Sequence, residues 1–208
     1  SLKEINKDLS STNKMFRLLQ GDVGSGKTIV SLLGAINTIN SGFQVAFMAP
    51  TEILARQHYT LAKKIFPSFI NIELISGKSE YKKKKEILKK LENNKIDIIF
   101  GTHAIFQKKV IFNKLGLIII DEQHKFGVNQ RKKLSDKGGV DCDVLLMTAT
   151  PIPRTLTMTI YGDMDISIIR EKPKNRKPIK TYSKLEEKID DVLKFINKEI
   201  KLGNQIFW

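Results

Sequence analysis

Cysteine is almost absent from the sequence, since Cys142 is the only one. A single cysteine excludes an intrachain disulfide and favours a reducing, cytoplasmic setting. Long apolar runs are absent as well, and Leu117–Ile120 is typical of those present. A helix needs about 20 apolar residues to span a bilayer, so we expect no membrane segment.

Acidic residues are too few to balance the basic ones, with 22 Asp and Glu against 36 Lys and Arg, which gives a net charge of +14. This excess suits an acidic partner such as nucleic acid. Most of it is lysine, however, and the Lys82–Lys85 run fits the solvated face of an amphipathic helix. Charge alone therefore gives only weak support to a nucleic-acid partner.

Short apolar runs alternate with amphipathic stretches along most of the chain. The strand-like runs are Arg17–Gln20, Val45–Met48, Ile72–Ile75, Asp97–Phe100, Leu117–Ile120 and Val144–Met147. The helix-like stretches are Lys27–Ile39, Thr51–Phe66, Ser79–Glu92 and Val128–Ser135. Apolar strands separated by helices predict an α/β fold with a mostly parallel sheet and helices on both faces.

The pattern changes at residues 171–180, where Pro173 and Pro178 among basic residues predict an extended linker. Beyond it, Ser183 and Glu186 have the spacing of a capping box for a helix, and Gln205–Trp208 is strand-like. We therefore expect one domain at residues 1–170 and the beginning of a second at 181–208, in a sequence that is a piece of a longer protein.

One segment matches the pattern G-x-x-x-x-G-K-[ST]. Its residues are Gly21, Asp22, Val23, Gly24, Ser25, Gly26, Lys27 and Thr28. Glycines let the backbone N–H groups point inward at phosphates, Lys27 can bind the β- and γ-phosphates, and the Thr28 hydroxyl can bind Mg²⁺. The segment lies between a predicted strand and a predicted helix, so it predicts an ATP and Mg²⁺ site rather than a structural glycine turn.

Two carboxylates, Asp121 and Glu122, directly follow the apolar strand Leu117–Ile120. Strands of such folds present their ligand-binding residues at their carboxyl ends. Asp121 is expected to hold Mg²⁺, and Glu122 to polarise the water that attacks the γ-phosphate. A plain polar turn is the alternative, and His124 could simply cap that turn.

Threonines follow three other predicted strands. The hydroxyls of Thr148 and Thr150 can both donate and accept hydrogen bonds, so they could connect the carboxylates with a bound strand. Thr51 and Thr102 suit contacts with a phosphate backbone. Each has a structural alternative, which for Thr51 is the N-cap of a helix.

Five segments together resemble superfamily 2 helicases, and within them the RecG family of ATP-dependent DNA helicases. They are GDVGSGKT (21–28), APTEILARQH (49–58), GTHAIF (101–106), IIIDEQHKFGVNQR (118–131) and MTATPIPRTLTMTIYGDMD (147–165). The second and fourth spellings are the most discriminating. The motor of transcription-repair coupling factor shares the first and last but usually differs at those two.

The resemblance implies a RecA-like P-loop motor domain that hydrolyses ATP to move on double-stranded DNA. It implies remodelling of branched DNA, such as stalled forks and four-way junctions, in recombination and repair. Gln123 and His124 would complete the catalytic box begun by Asp121 and Glu122, and His124 would couple hydrolysis to DNA through Thr148 and Thr150. The implied DNA contacts are Thr51, Arg56, Thr102, His103 and Arg154.

Nothing in the sequence corresponds to the family's amino-terminal wedge domain, to the second motor domain beyond its expected beginning at 181–208, or to the arginine finger of that domain. Phosphoryl transfer without such an arginine is slower by ~10³–10⁵, so we expect this chain alone to be a monomer and a poor ATPase. The alternatives are an RNA-directed DExH helicase, the motor of transcription-repair coupling factor, and a nucleotide-binding module with no motor role.

Overall fold

The computed structural model describes residues 1–77, 81–107, 109–122, 142–150, 164–171 and 179–208. Gln123, His124, Arg154 and the predicted helix Val128–Ser135 lie outside the described residues. The chain divides into two compact units, Ser1–Pro173 and Lys174–Trp208. The boundaries expected from the sequence, at 170 and 181 with a linker between them, stay a prediction.

Helices and strands alternate through the first unit, and the predicted α/β fold is confirmed. The helices are α1 (Leu2–Leu9), α2 (Lys27–Asn40), α3 (Glu52–Ile65) and α4 (Tyr81–Glu92), with a short 3₁₀ helix at His103–Phe106. The strands are β1 (Phe16–Gly21), β2 (Gln44–Met48), β3 (Ile72–Ile75), β4 (Ile98–Gly101), β5 (Leu115–Ile120), β6 (Asp143–Thr148) and β7 (Asp165–Ile169). None of the helices in the described ranges is long and apolar enough to cross a membrane.

The strands form one sheet in the order β3-β4-β2-β5-β6-β1-β7. Every pairing is parallel, including β2 with β5 and β6 with β1. The carboxyl ends of all seven strands therefore meet at one edge, which we call the carboxyl edge.

Both faces of the sheet are buried, as uniformly apolar strands require. Successive strand residues point to opposite faces, so Leu19 and Phe47 join a cluster covered by α1, α2 and α3. Leu18 and Met48 join the opposite cluster, which includes residues of α4. Cys142 is buried too, and burial raises the pKa of its thiol to about 12, so the thiol is protonated and unreactive at neutral pH.

The sequence did not predict α1 and β7, and both are held through Arg17 on β1. The Arg17 guanidinium donates to Asp8 of α1 at 2.7 Å and to the Ser167 hydroxyl of β7 at 2.9 Å. The Ser167 hydroxyl donates in turn to Glu4, and this bond lowers the pKa of the Glu4 carboxyl. A buried charge is tolerated when it is paired and hydrogen-bonded in this way.

The second unit contains a 3₁₀ turn at Glu186–Lys188 and helix α5 (Ile189–Lys201). The predicted capping box was wrong, because the helix begins after Lys188 and no side-chain hydrogen bond caps it. The predicted strand at Gln205–Trp208 was also wrong, since these residues have no regular structure. A strand needs a neighbour to pair its backbone groups, and the described residues give this segment none.

We expect Arg17→Ala to lower the free energy of unfolding by about 3 kcal/mol, because it removes one member of a buried ion pair. Urea unfolding of this chain measures the loss. Lys7→Ala is the matched control, since Lys7 is an exposed cation of α1, and its cost should be within about 0.5 kcal/mol. Equal losses in the two variants would contradict the structural role of Arg17.

Candidate functional site

The predicted site residues are arranged along the carboxyl edge in the order of their strands. The glycine loop follows β1, Thr148 ends β6, Asp121 follows β5, and Thr51 and Thr102 follow β2 and β4. Neighbouring strands are ~4.8 Å apart, so the loop and Thr102 stand about four strand spacings, ~19 Å, from each other. The carboxylates lie between them.

The glycine loop has the backbone that phosphate binding requires. Gly24 and Gly26 have φ values of 78° and 95°, where residues with a side chain are strained. Helix α2 begins directly after Gly26 and has no side-chain cap. Its first N–H groups have no partner within the helix, and they carry the positive end of its dipole, which together suit a phosphate.

Lys27 lies across its own loop. Its Nζ donates to the carbonyl oxygens of Gly21, at 2.7 Å, and Asp22, at 3.0 Å. Phosphate oxygens carry charge and make stronger hydrogen bonds with an ammonium group than neutral carbonyls do. The ammonium is therefore held within the loop by partners that a phosphate can replace.

The loop also contains a buried hydroxyl that lacks a partner. Ser25 Oγ is buried and makes no hydrogen bond with any residue that the structure describes. A Cβ added at Gly21 would lie 2.6 Å from this oxygen, so a side chain at position 21 would fill the space in front of it. An unsatisfied hydroxyl facing a space kept open by glycine fits a loop built to receive further hydrogen-bonding atoms.

Asp121 is buried at the end of β5, and both of its carboxylate oxygens have partners. Oδ1 accepts from the Glu122 N–H at 3.0 Å, and Oδ2 lies 2.8 Å from His58 Nε2. The Asp121 N–H donates to Met48 of β2 at 2.9 Å. The backbone of Asp121 is thus held by strand β2, and its carboxylate is fixed in orientation by the turn at Glu122 and by helix α3.

Glu122 has a φ of 51°, which places it in the left-handed region. This conformation costs a residue with a side chain about 1–2 kcal/mol. Among the described residues Asn94 is the other non-glycine with positive φ, but asparagine adopts that region readily. A strained glutamate beside a buried aspartate is typical of a functional turn.

The predicted pair Thr148 and Thr150 is brought together. Their hydroxyl oxygens are 2.9 Å apart, and the Thr150 N–H donates to the Thr148 oxygen at 3.2 Å. Thr148 is buried at the end of β6 and Thr150 is exposed. Their contact with His124 stays a prediction, because His124 lies outside the described residues.

The predicted DNA-side residues lie at the β2 and β4 end of the carboxyl edge. Thr51 is the N-cap of α3, and its hydroxyl accepts from the Leu54 N–H at 3.3 Å. Thr51 therefore has the structural role that was its alternative in the sequence, the N-cap of a helix, and it is also exposed. Arg56 and His103 are exposed as well, and Thr102 precedes the short 3₁₀ helix.

His58 is the site residue that the sequence analysis missed. It lies on α3, far from Asp121 in sequence, and a lone histidine in a helix gives no local signal of its partner. The one available signal is the spacing of Ala55, His58 and Ala62, which lie on the buried face of α3. That spacing predicts burial, but it does not identify the carboxylate that His58 contacts.

The donors present fit an ATP-bound Mg²⁺. The ion prefers oxygen ligands, and in nucleotide sites it is held by one or two carboxylates together with substrate phosphates rather than by a cage of protein atoms. Asp121 supplies a carboxylate, and Thr28 supplies a hydroxyl in the first turn of α2. With the glycine loop for the phosphates, the edge can bind a nucleoside triphosphate and place a carboxylate beside it.

Comparison with known proteins identifies relatives among helicases. The family model for DEAD/DEAH box helicases matches residues 3–159. The ATP-dependent DNA helicase RecG of Staphylococcus epidermidis strain ATCC 35984 is 49% identical over 100% of this chain and 30% of that protein. RecG of Bacillus subtilis strain 168 is 50% identical over 99% of this chain and 30% of that protein. The resemblance predicted from the motif spellings is confirmed.

Solved structures agree. A structure of RecG bound to a three-way DNA junction has a TM-score of 0.78 and 42% identity, and the match covers 98% of this chain and 27% of that one. A DEAD box protein from Methanococcus jannaschii has a TM-score of 0.59 at 19% identity, covers 80% of this chain and 47% of that one, and shows the fold alone. The chain spans about 30% of the length of the curated relatives it matches.

We expect Gly26→Ala to weaken nucleotide binding by about tenfold, or about 1.4 kcal/mol, because a Cβ strains the positive φ that lets the loop N–H groups point at the phosphates. Gly42→Ala is a matched control, because Gly42 also has positive φ and, like Gly26, has nothing within 4 Å of an added Cβ. Both variants should lose about 1–2 kcal/mol of stability from backbone strain. Titration with a fluorescent ATP analogue separates them, and equal affinities would contradict the loop assignment.

Proposed function

The chain belongs to the DEAD/DEAH box helicase family, and from that premise we propose that it is the ATP-binding motor domain of a RecG-type DNA helicase. The full-length protein would remodel branched DNA, such as stalled forks and four-way junctions, in recombination and repair. The relatives that support this carry the name ATP-dependent DNA helicase RecG, and the related structure contains a three-way DNA junction. Because the chain spans about 30% of those relatives, the whole activity is a proposal.

One observation carries the proposal. A single edge of a parallel sheet presents a glycine loop suited to phosphate after β1, a fixed carboxylate after β5 and exposed polar residues after β2 and β4. A simple nucleotide-binding module needs only the loop and the carboxylate. The polar residues at the far end of the same edge give a second substrate a place beside the nucleotide.

At the nucleotide end we assign phosphate binding to residues 21–28, with Lys27 moving from its loop carbonyls to the β- and γ-phosphates. Thr28 and Asp121 would hold Mg²⁺, which neutralises the charge of the phosphates. Glu122 would accept a proton from the attacking water. The strained turn points to a functional use for Glu122.

At the other end of the edge we assign DNA contacts to Thr51, Arg56, Thr102 and His103. Hydroxyls, helix starts and cations commonly bind phosphate oxygens and hold the duplex without reading its sequence. The net charge of +14 favours such a contact. Gln123, His124 and Arg154 belong to the same proposal through the family resemblance.

We propose that residues 171–180 link this motor domain to the beginning of a second one at 181–208. Parts of the full-length protein outside this chain would supply the wedge domain and the arginine finger. The chain alone would then bind ATP as a monomer and hydrolyse it poorly. A cytoplasmic location fits the single, buried Cys142.

The test is ATP turnover by the full-length protein with forked DNA, linear duplex and RNA as separate activators. We expect the largest stimulation with forked DNA. Lys27→Ala should abolish turnover, whereas Glu122→Gln should stop turnover and preserve binding of the nucleotide. Stimulation by RNA alone would favour an RNA-directed enzyme, and normal turnover by Glu122→Gln would refute the role of that glutamate.

A second prediction concerns Arg56. We expect Arg56→Ala to weaken DNA binding. The slope of log K against log salt concentration should become shallower by about 0.9, which is the value for one phosphate contact. Lys64→Ala is the matched control, because Lys64 is an exposed cation in the last turn of α3, away from the carboxyl edge. Fluorescence anisotropy with forked DNA at several salt concentrations measures both slopes, and equal changes in the two variants would contradict the contact.

A further inference from the structure

A buried contact joins helix α3 to the carboxylate at the end of β5. His58 Nε2 lies 2.8 Å from Asp121 Oδ2, and 63 positions separate the two residues in sequence. His58 is 8% exposed, as is Asp121. The contact therefore lies within the protein, where water competes little for either partner.

The geometry of α3 explains why His58 reaches the site. Helix α3 follows β2 and begins at the carboxyl edge, directly after Thr51. Side chains of a helix lean toward its N-terminus, so the His58 ring, two turns along the buried face, points back toward that edge. Strand β2 pairs with β5, and Asp121 is the residue that follows β5.

The His58 ring is held from the side by an aromatic contact. Its centroid is 4.8 Å from that of Phe47 on β2, with the two rings tilted by 41°. Phe47 in turn stacks on Phe100 of β4 at 5.0 Å. This packing restricts the ring, and a carboxylate can only accept a hydrogen bond, so Nε2–H donates to Asp121 in a fixed direction.

A buried histidine is more often a satisfied core residue than part of a site, and a backbone carbonyl would serve that purpose. Here the partner is instead the carboxylate assigned to Mg²⁺. Asp121 Oδ1 is already bonded to the Glu122 N–H. His58 therefore fixes the second oxygen and with it the orientation of the whole group.

Helix α3 also carries residues assigned to DNA. Thr51 caps its start, and Arg56 is exposed on its second turn. A displacement of α3 caused by DNA contact would move His58 and, through one hydrogen bond, the Asp121 carboxylate. No longer chain of contacts is needed between α3 and the Asp121 carboxylate.

We propose that His58 is a positioning residue that orients the Asp121 carboxylate and connects the DNA-side helix α3 to the Mg²⁺ and nucleotide site. This inference rests on the proposed function. Partners of a metal-binding carboxylate typically change metal affinity or activity by about 10–100-fold when they are lost. Loss of His58 should therefore change the Mg²⁺ requirement and the response to DNA together.

The experiment uses the full-length protein and two amide substitutions of different length. The amide nitrogen of His58→Gln can reach the position of Nε2, whereas that of His58→Asn is one carbon too short. The first readout is binding of a fluorescent ATP analogue as Mg²⁺ is titrated, and the second is the ratio of ATP turnover with and without forked DNA.

We expect His58→Asn to raise the Mg²⁺ concentration at half-saturation by about 10–100-fold and to reduce stimulation by DNA. His58→Gln should restore both values toward wild type. His58→Phe keeps an aromatic ring against Phe47 and should behave like the asparagine variant. Tyr59→Leu is the packing control, since Tyr59 meets the Phe100 ring edge-on, and it should keep the wild-type Mg²⁺ dependence.

Equal Mg²⁺ dependence and equal DNA stimulation in the glutamine and asparagine variants would overturn the proposal, even if both melted at a lower temperature. His58 would then be a core residue only. A wild-type protein that no DNA stimulates would count against the proposed function instead. In that case the Mg²⁺ titrations of the two amide variants would still support or overturn the role of His58.

Discussion

Every strand of the described sheet runs in the same direction, and the position of each candidate site residue depends on that constraint. Parallel pairing places the ends of β1, β6, β5, β2 and β4 at one edge, although the residues that follow them are far apart in sequence. It also requires both faces to be covered, which the two hydrophobic clusters accomplish. An antiparallel neighbour at any of these strands would move its loop to the opposite edge.

The strand order separates the edge into two ends. The glycine loop stands about three strand spacings from Thr51 and four from Thr102, ~14 and ~19 Å, so one small ligand cannot touch all three. Asp121 lies near the middle and is bonded to a strand, to its own turn and to α3. Anything that shifts α3 relative to β5 must strain or break the bond from His58. The carboxyl edge thus has two separate ends with a fixed carboxylate between them.

The sequence predicted the parts of the site that are encoded locally. The loop 21–28 and the pair Asp121–Glu122 each occupy one short segment, and six strands followed from their apolar runs. It missed β7, which is an edge strand with only partial burial, and α1, whose attachment depends on Arg17. It also missed His58, because no periodicity reveals a partner 63 positions away. Local sequence patterns thus identify the loop and the carboxylates, whereas long-range packing determines which side chains contact them.

A local sequence pattern did not locate the start of helix α5. Ser183 and Glu186 have the spacing of a capping box, but the stable helix begins later, after Lys188, without a side-chain cap. Local capping contributes only about 1 kcal/mol, and α5 buries none of its residues among those described, so no packing supports an earlier start. At Glu122 the local preference of the residue is overridden. A left-handed glutamate is locally unfavourable, yet the hydrogen bond to Asp121 Oδ1 stabilises the turn that contains it. Glycine or asparagine would fit that conformation with less strain, so local backbone preference does not explain the glutamate.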